Sequence, residues 1–202
     1  SEVSLVVGFK SRILGIAFPD TCIVCGKPVT SKEYACPKCI AKIPYITPQF
    51  KCKTCLGFLH DAENGMCGAC LLNAPNYSRL ISCVKYQGEV QKTIRAYKFY
   101  NRPDYHLGYS KLACEVLEKS SVCFDAVLPI PLYKKTYDKR GYNQSALIAE
   151  KISEYFGVLY FDDLLIMPIK LFKEYPEVLE YYQEKYKYIL VDIFLKNPLI
   201  FQ

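Results

Sequence analysis

The chain has 202 residues, 51% hydrophobic and 14% aromatic, with a formal net charge of +6. That is enough to bury the core of one ordinary domain beside a small module. No run of about 18 apolar residues occurs, which argues against a spanning helix. Lys10 and Arg12 interrupt the apolar residues from Leu5 to Ala17, so a secretion signal is not expected. Cysteines in a reducing cytoplasm then read as metal ligands rather than disulfides.

Residues 1–20 read as an N-terminal helix, since Leu5, Phe9, Ile13 and Ile16 recur at helical spacing and Pro19 ends the pattern. Such a helix packs on the rest of the protein or lies as a peripheral anchor on a membrane. The expected location is therefore cytoplasmic, with membrane association as the alternative.

Residues 21–72 form a cysteine-rich module. Four C-x-x-C pairs follow one another: Cys22/Cys25, Cys36/Cys39, Cys52/Cys55 and Cys67/Cys70. The first pair recurs about 30 residues on as the third, and the second recurs as the fourth, which predicts two zinc ribbons in tandem. Each C-x-x-C makes a tight knuckle, and two knuckles complete a tetrahedron around one ion. Spacing leaves the pairing open. A sequential scheme groups Cys22, Cys25, Cys36 and Cys39 apart from Cys52, Cys55, Cys67 and Cys70, and an interleaved one satisfies the same count. The sequential scheme lets each ribbon fold locally. Two zinc ions per chain, each in four thiolates, would lower the net charge from +6 to about +2. Nucleic-acid affinity must then come from local patches. Cys83, Cys114 and Cys123 remain, in apolar surroundings that predict burial. His60 and His106 are read as ordinary surface histidines.

A linker at Asn73 to Asn76 leads into a main domain over residues 77–202. Tyr77 to Tyr86 alternates like a strand, and Gln87-Gly88 makes a turn. Glu89 to Phe99 predicts a helix with Val90, Ile94 and Tyr97 on one face. Lys92, Arg95, Lys98 and Arg102 bring cations beside Tyr97, Phe99 and Tyr100. That mixture suits single-stranded nucleic acid, with bases on rings and phosphates on cations; a half-buried helix with a solvated face gives the same pattern. Asp104 to Lys119 reads as a second helix.

Ala126 to Ile130 is a short apolar run bounded by prolines, the mark of a buried strand. Lys134, Lys135, Lys139 and Arg140 crowd into the loop that follows. Asn143 can then cap a helix whose apolar positions Ile148, Ile152 and Phe156 fall four apart. A strand end feeding a basic loop and a helix start is where α/β proteins hold phosphates, although solvated surface lysines look alike. Val158 to Phe161 forms the next strand.

Pro129, Ile130, Pro131 and Leu132, followed by Lys139-Arg140-Gly141-Tyr142-Asn143-Gln144, resemble the signature of the ComF/ComFC family. These are competence-associated, phosphoribosyltransferase-like proteins of naturally transformable bacteria. Tyr86-Gln87-Gly88 and Lys98-Phe99 match the family's Y-x-G…K-F pattern, and the cysteine module matches as well. Tyr142 stands where the family usually has Phe. The resemblance implies an α/β fold, a phosphoribosyltransferase-like, mostly parallel sheet flanked by helices, behind an N-terminal zinc-ribbon module. It also implies a role with single-stranded DNA in natural transformation, alongside other DNA-uptake proteins. Phosphoribosyl pyrophosphate, with Mg2+, would sit on Lys134, Lys135, Lys139, Arg140, Asn143 and Asp192; DNA would meet Lys92, Arg95, Lys98, Phe99 and Arg102.

The pattern breaks near the end. Phosphoribosyltransferase-like proteins carry D-D-x-x-T-T-G-x-T after a late strand. Here Tyr188 to Asp192 supplies the strand and one acid, and IFLKNPLIFQ follows. The second acid, both threonines and the glycine are missing, and residues 167–187 are Tyr- and Glu-rich. Two functions from different classes fit: a DNA-binding protein on an inherited scaffold, or an active phosphoribosyltransferase. No general base stands out.

Overall fold

A computed structural model describes residues 20–46, 51–57, 59, 65–73, 75 and 77–161, together with 177, 180, 188–192 and 200–201. The expected N-terminal helix and His60 lie outside the described residues.

The cysteine module is built twice to one plan. In the first copy the Cys22 amide donates to Lys27 O at 2.8 Å and the Gly26 amide to Cys22 O at 2.9 Å, closing a knuckle that Gly26 completes at φ +70°. Helix α1 (Pro37–Ile40) starts directly after Cys36, with Pro at its first position. The second copy repeats this. Cys52 donates to Gly57 O at 2.8 Å, and α2 (Gly68–Leu72) starts directly after Cys67. Cys36 and Cys67 hold nearly the same extended backbone, φ −67° and ψ 154° against φ −80° and ψ 155°. The sequence repeat is thus a structural one.

The strand expected at Tyr77 to Tyr86 is absent. Leu80, Ile81, Ser82, Cys83 and Val84 are all buried in succession, but among the described residues the backbone pairs only through one isolated bridge and so builds no ladder. This segment is an extended connector. Its Leu80 amide donates to Thr54 O at 2.7 Å, its Lys85 amide to Pro44 O at 2.8 Å, and Val84 bridges to Tyr45.

Helix α3 (Gly88–Phe99) and helix α4 (Tyr105–Ser120) agree with the two helices expected there. Strand β1 (Ala126–Pro129) follows. The basic stretch expected as a loop is instead a short helix, α5 (Lys134–Arg140), none of whose residues is buried. It contains no Gly or Pro, and Gly141 ends it at φ +80° in the left-handed C-cap conformation. Helix α6 (Gln144–Phe156) and strand β2 (Leu159–Tyr160) complete a β-α-β crossover. Strands β3 (Tyr188–Asp192) and β4 (Ile200–Phe201) extend a sheet of order β2-β1-β3-β4. The first three strands are parallel and β4 is antiparallel, so the sheet is small and mostly parallel, as expected.

Helix α6 packs on both β1 and α4. Ile148 and Ile152 are fully buried at the predicted spacing, and Phe156 meets Phe124 edge-on with centroids 5.1 Å apart. Burial of one such isoleucine contributes roughly 1.5–3 kcal/mol. The core that these residues share with Val90, Tyr97, Leu112, Leu117 and Val127 also contains Cys22, Ile23, Val24 and Cys39 of the first ribbon.

Candidate metal centres and nucleic-acid interface

The four sulfurs of Cys22, Cys25, Cys36 and Cys39 lie within 4.8 Å of one another, and so do those of Cys52, Cys55, Cys67 and Cys70. A tetrahedron with Zn–S bonds of about 2.3 Å places sulfurs about 3.8 Å apart. The Cys25–Cys36 and Cys55–Cys67 separations of 3.9 and 3.6 Å fit it. The grouping is the sequential one. In each tetrad the first sulfur is poised as a thiolate. Burial opposes ionisation of Cys22, but amides of Cys25, Cys36 and Val24 aimed at its sulfur bring the thiol down to about 7. Cys52, buried likewise, is brought down to about 6 by the amides of Cys55, Cys67 and Thr54. The Cys36 and Cys67 amides donate to these sulfurs at 3.4 Å each. The residues fit a structural zinc ion in each ribbon, which would hold all four thiolates deprotonated.

The other cysteines divide. Cys83 and Cys114 are buried, and burial pushes both thiols up. Cys123 is exposed, contrary to expectation, because it falls between the end of α4 and the start of β1. His106, expected at the surface, is buried: the first turn of α4 turns it inward, where Nδ1 lies 2.7 Å from Pro103 O.

The first ribbon is bonded to the main domain at several points. Thr21 donates to the Asp104 carboxylate at 2.6 Å, Thr93 to Ile23 O at 2.6 Å, and Lys111 pairs with Asp20 at 3.0 Å. Gly108 on α4 admits the ribbon so closely that a Cβ there would lie 2.5 Å from Ile23 Cγ2.

The cations predicted on α3 separate by helical position. Val90, Ile94 and Lys98 are four apart, so Lys98 falls on the inward stripe and is only 9% exposed. It therefore does not present a charge at the surface. Lys92, Arg95 and Phe99 share the outward stripe. Lys92 pairs with Glu89 at 2.6 Å. Arg95 and Phe99 are exposed. Arg102 donates through Nε and Nη2 to Asp104 at 2.8 and 2.7 Å, leaving only part of its fork available.

The side chain of Arg140 reaches back to this stripe, its guanidinium carbon 5.4 Å from the Phe99 ring centroid. This face thus carries Phe99 and Tyr100 from the end of α3 and the exposed Tyr137, three residues before Arg140 on α5, while the exposed Lys134, Lys135 and Lys139 spread around the rest of that helix. Tyr133, at the N-cap of α5, is 74% exposed and adds a further ring. Sequence reasoning missed Tyr133 and Tyr137. Their spacing of four was the available signal, hidden because the stretch reads as a loop. Below this face, Tyr142 stacks on Tyr97 at 5.8 Å and Tyr97 on Tyr109 at 6.3 Å. Tyr97 donates to Gln144 O at 2.8 Å, and Tyr142 donates to Tyr97 O. Asn143 is spent on structure: its Oδ1 accepts from the Ser145 and Ala146 amides at 3.0 and 3.4 Å, and its Nδ2 donates to Ile130 O at 3.0 Å. Pro129 pairs with Val191, which brings Asp192 level with Ile130 at the C-terminal end of β1.

Residues 13–72 match the family model of the double zinc ribbon domain. The DNA utilization protein YhgH of Salmonella typhimurium is 23% identical over 149 residues, covering 71% of this chain and 58% of that protein. Competence protein F of Haemophilus influenzae is 23% identical over 141 residues, 54% of this chain and 62% of that protein. The chain belongs to the ComF/ComFC family.

This ComF-family chain spans about three-fifths of the length of these curated relatives. Residues 76–194 also match the model of the UvrD/REP helicase N-terminal domain, more than half of the chain, and over that span it belongs to that family as well. DNA helicase II of Rickettsia typhi is 60% identical over 36 residues, which are 18% of this chain and 6% of the helicase. The high identity is confined to a short stretch. No G-x-x-x-x-G-K-[ST] loop occurs in the 202 residues, so the phosphate cradle of a P-loop ATPase is not among them. Strand β3 lies inside the helicase match. No solved structure matches the chain significantly. Among the described residues, no helix is long and apolar enough to cross a membrane.

Proposed function

We propose that this ComF-family protein binds single-stranded DNA during DNA uptake, on the face where α5 meets the end of α3. The observation that carries the reading is the contact between Arg140 and Phe99. It joins the cluster read from sequence as phosphate-binding to the one read as base-stacking. Rings at Phe99, Tyr100 and Tyr137 offer stacking surfaces, and the exposed Lys134, Lys135 and Lys139 of α5 offer phosphate contacts on the same short helix. The names of the relatives, a DNA utilization protein and a competence protein, support the reading.

Anisotropy titration of labelled oligothymidylate at two salt concentrations tests it. Affinity should fall with salt, with a logarithmic slope of about −0.7 per phosphate neutralised. Binding without salt dependence, or equal binding to a neutral polymer, counts against it.

A second reading is favoured by the register that brings Asp192 beside the end of β1. There an acid at one strand end and the basic helix after the other would bind phosphoribosyl pyrophosphate with Mg2+, as scaffold ligand or as transferase substrate. Calorimetric titration with the two together tests it, and absence of heat at about millimolar ligand, or −4 kcal/mol, rules it out. Other DNA-uptake proteins are the partners this role would bring.

A further inference from the structure

We propose that the two metal sites are unequal: the metal of the first ribbon is part of the fold of the aromatic, cationic face, whereas the second ribbon can lose its metal without disturbing that face. Accessibility of the sulfurs does not distinguish them. In each tetrad the first and last cysteines are buried and the middle two reach the surface, and the first ribbon even has the more exposed member, Cys25. The difference lies in what each tetrad is packed into.

Cys22 and Cys39 belong to the main core, together with residues of α3, α4, α6 and β1. A column of hydroxyls and rings leads from that tetrad toward the face. The carbonyl of Ile23, beside Cys22, accepts from Thr93; Thr93 and Tyr109 share a 2.8 Å hydrogen bond; Tyr109 stacks on Tyr97; and Tyr97 stacks on Tyr142 and bonds Gln144, two and four residues past Arg140. Releasing the first metal frees Cys22 and Cys39 inside this core, so the knuckle that seats Ile23 under Gly108 loosens with it. By reciprocity, whatever stabilises the column must also tighten the hold on that metal.

The second tetrad has nothing of the kind among the described residues. Its cluster consists of Cys52, Leu59 and Cys70, with Cys55, Met66 and Cys67 against them. Four of these six are the ligands themselves, so the metal is most of the core it organises. Among the described residues, one backbone tie to the rest is the Leu80 amide on Thr54 O. Loss of this metal costs local order only.

The experiment uses the full chain loaded with zinc. A Cys52→Ser, Cys70→Ser double variant should retain one zinc, with amide exchange protection of residues 88–156 and oligothymidylate affinity within about twofold of the parent. Zinc release to a chromogenic chelator from the parent should resolve into two phases. A Thr93→Val variant, which keeps every ligand but loses the buried hydrogen bonds of Thr93 to Ile23 O and Tyr109, should speed the slower phase alone, by on the order of tenfold or more. A double variant that fails to fold or loses protection in residues 88–156 overturns the proposal. So does release in one phase, or a Thr93→Val variant that changes both phases or neither. Protection and release are read without DNA, so failure of DNA binding alone would strike the proposed function and leave the inequality of the metals standing.

Discussion

Arg140, at the last position of one helix, lies with its guanidinium 5.4 Å from the ring of Phe99, at the last position of another, although 41 residues separate them. The contact makes one face of two clusters. Phe99→Ala should weaken oligothymidylate binding by about 1–3 kcal/mol, the loss of one stacked base. Arg140→Lys should weaken it as well, because an ammonium does not lie flat on a ring. Anisotropy at fixed salt checks both, and unchanged affinity in the pair would remove this face from the site.

Lys134 and Lys135 are exposed on α5. Replacing both with Ala should reduce the salt slope by about 1.4, two phosphates at about 0.7 each, and affect all sequences alike. Lys98→Ala should leave the slope unchanged, since that side chain faces inward. The measurement is affinity against log salt for each variant.

Asn143 closes the N-terminus of α6 and ties it to the end of β1. Asn143→Ala should lower stability by about 1–2 kcal/mol through loss of the cap. Asn143→Asp keeps the acceptor and loses only the donor to Ile130, so it should be milder. Urea midpoints at constant slope check the order.

Gly108 lies where a Cβ would meet Ile23 Cγ2 at 2.5 Å and Thr21 O at 3.1 Å. Gly108→Ala should gain helix propensity of about 1 kcal/mol yet lose more to overpacking, about 1–3 kcal/mol. The expected net is a destabilised chain with faster zinc release from the first ribbon. A more stable variant would show that the two elements are not held this closely.

Acid should destabilise the fold in two steps. Burial holds His106 below its ordinary value of 6.5. The unfolded chain therefore takes up a proton first, and stability falls as pH drops below about 6.5. Burial opposes ionisation of Asp104, but the bonds from Arg102 and Thr21 outweigh it and hold the carboxyl below 3.8. Its contribution is complete above that value and is lost as pH falls through the lower, folded one. Thermal melts of the parent and of Asp104→Asn across this range check the second step, which the variant should lack.

Local pattern carried much of this molecule. The C-x-x-C repeat is a covalent spacing, and a knuckle needs only its own few residues, so all four knuckles could be read from the chain, while the fold decided which two share a tetrad. The stripes Val90-Ile94 and Ile148-Ile152 show through helical period for the same reason. The stripe also contained the fate of Lys98, four residues beyond Ile94, though its charge suggested the surface. Tertiary structure decided the rest. The expected strand at Tyr77 to Tyr86 became a connector because its backbone bonds the two ribbons, at Pro44 and Thr54, instead of a neighbouring strand. Whether a ribbon shares the main core or makes its own depends on contacts between residues some 70 to 85 positions apart, such as Thr21 with Asp104 and Ile23 with Thr93. No local period records such contacts, because they form only when the chain folds back on itself.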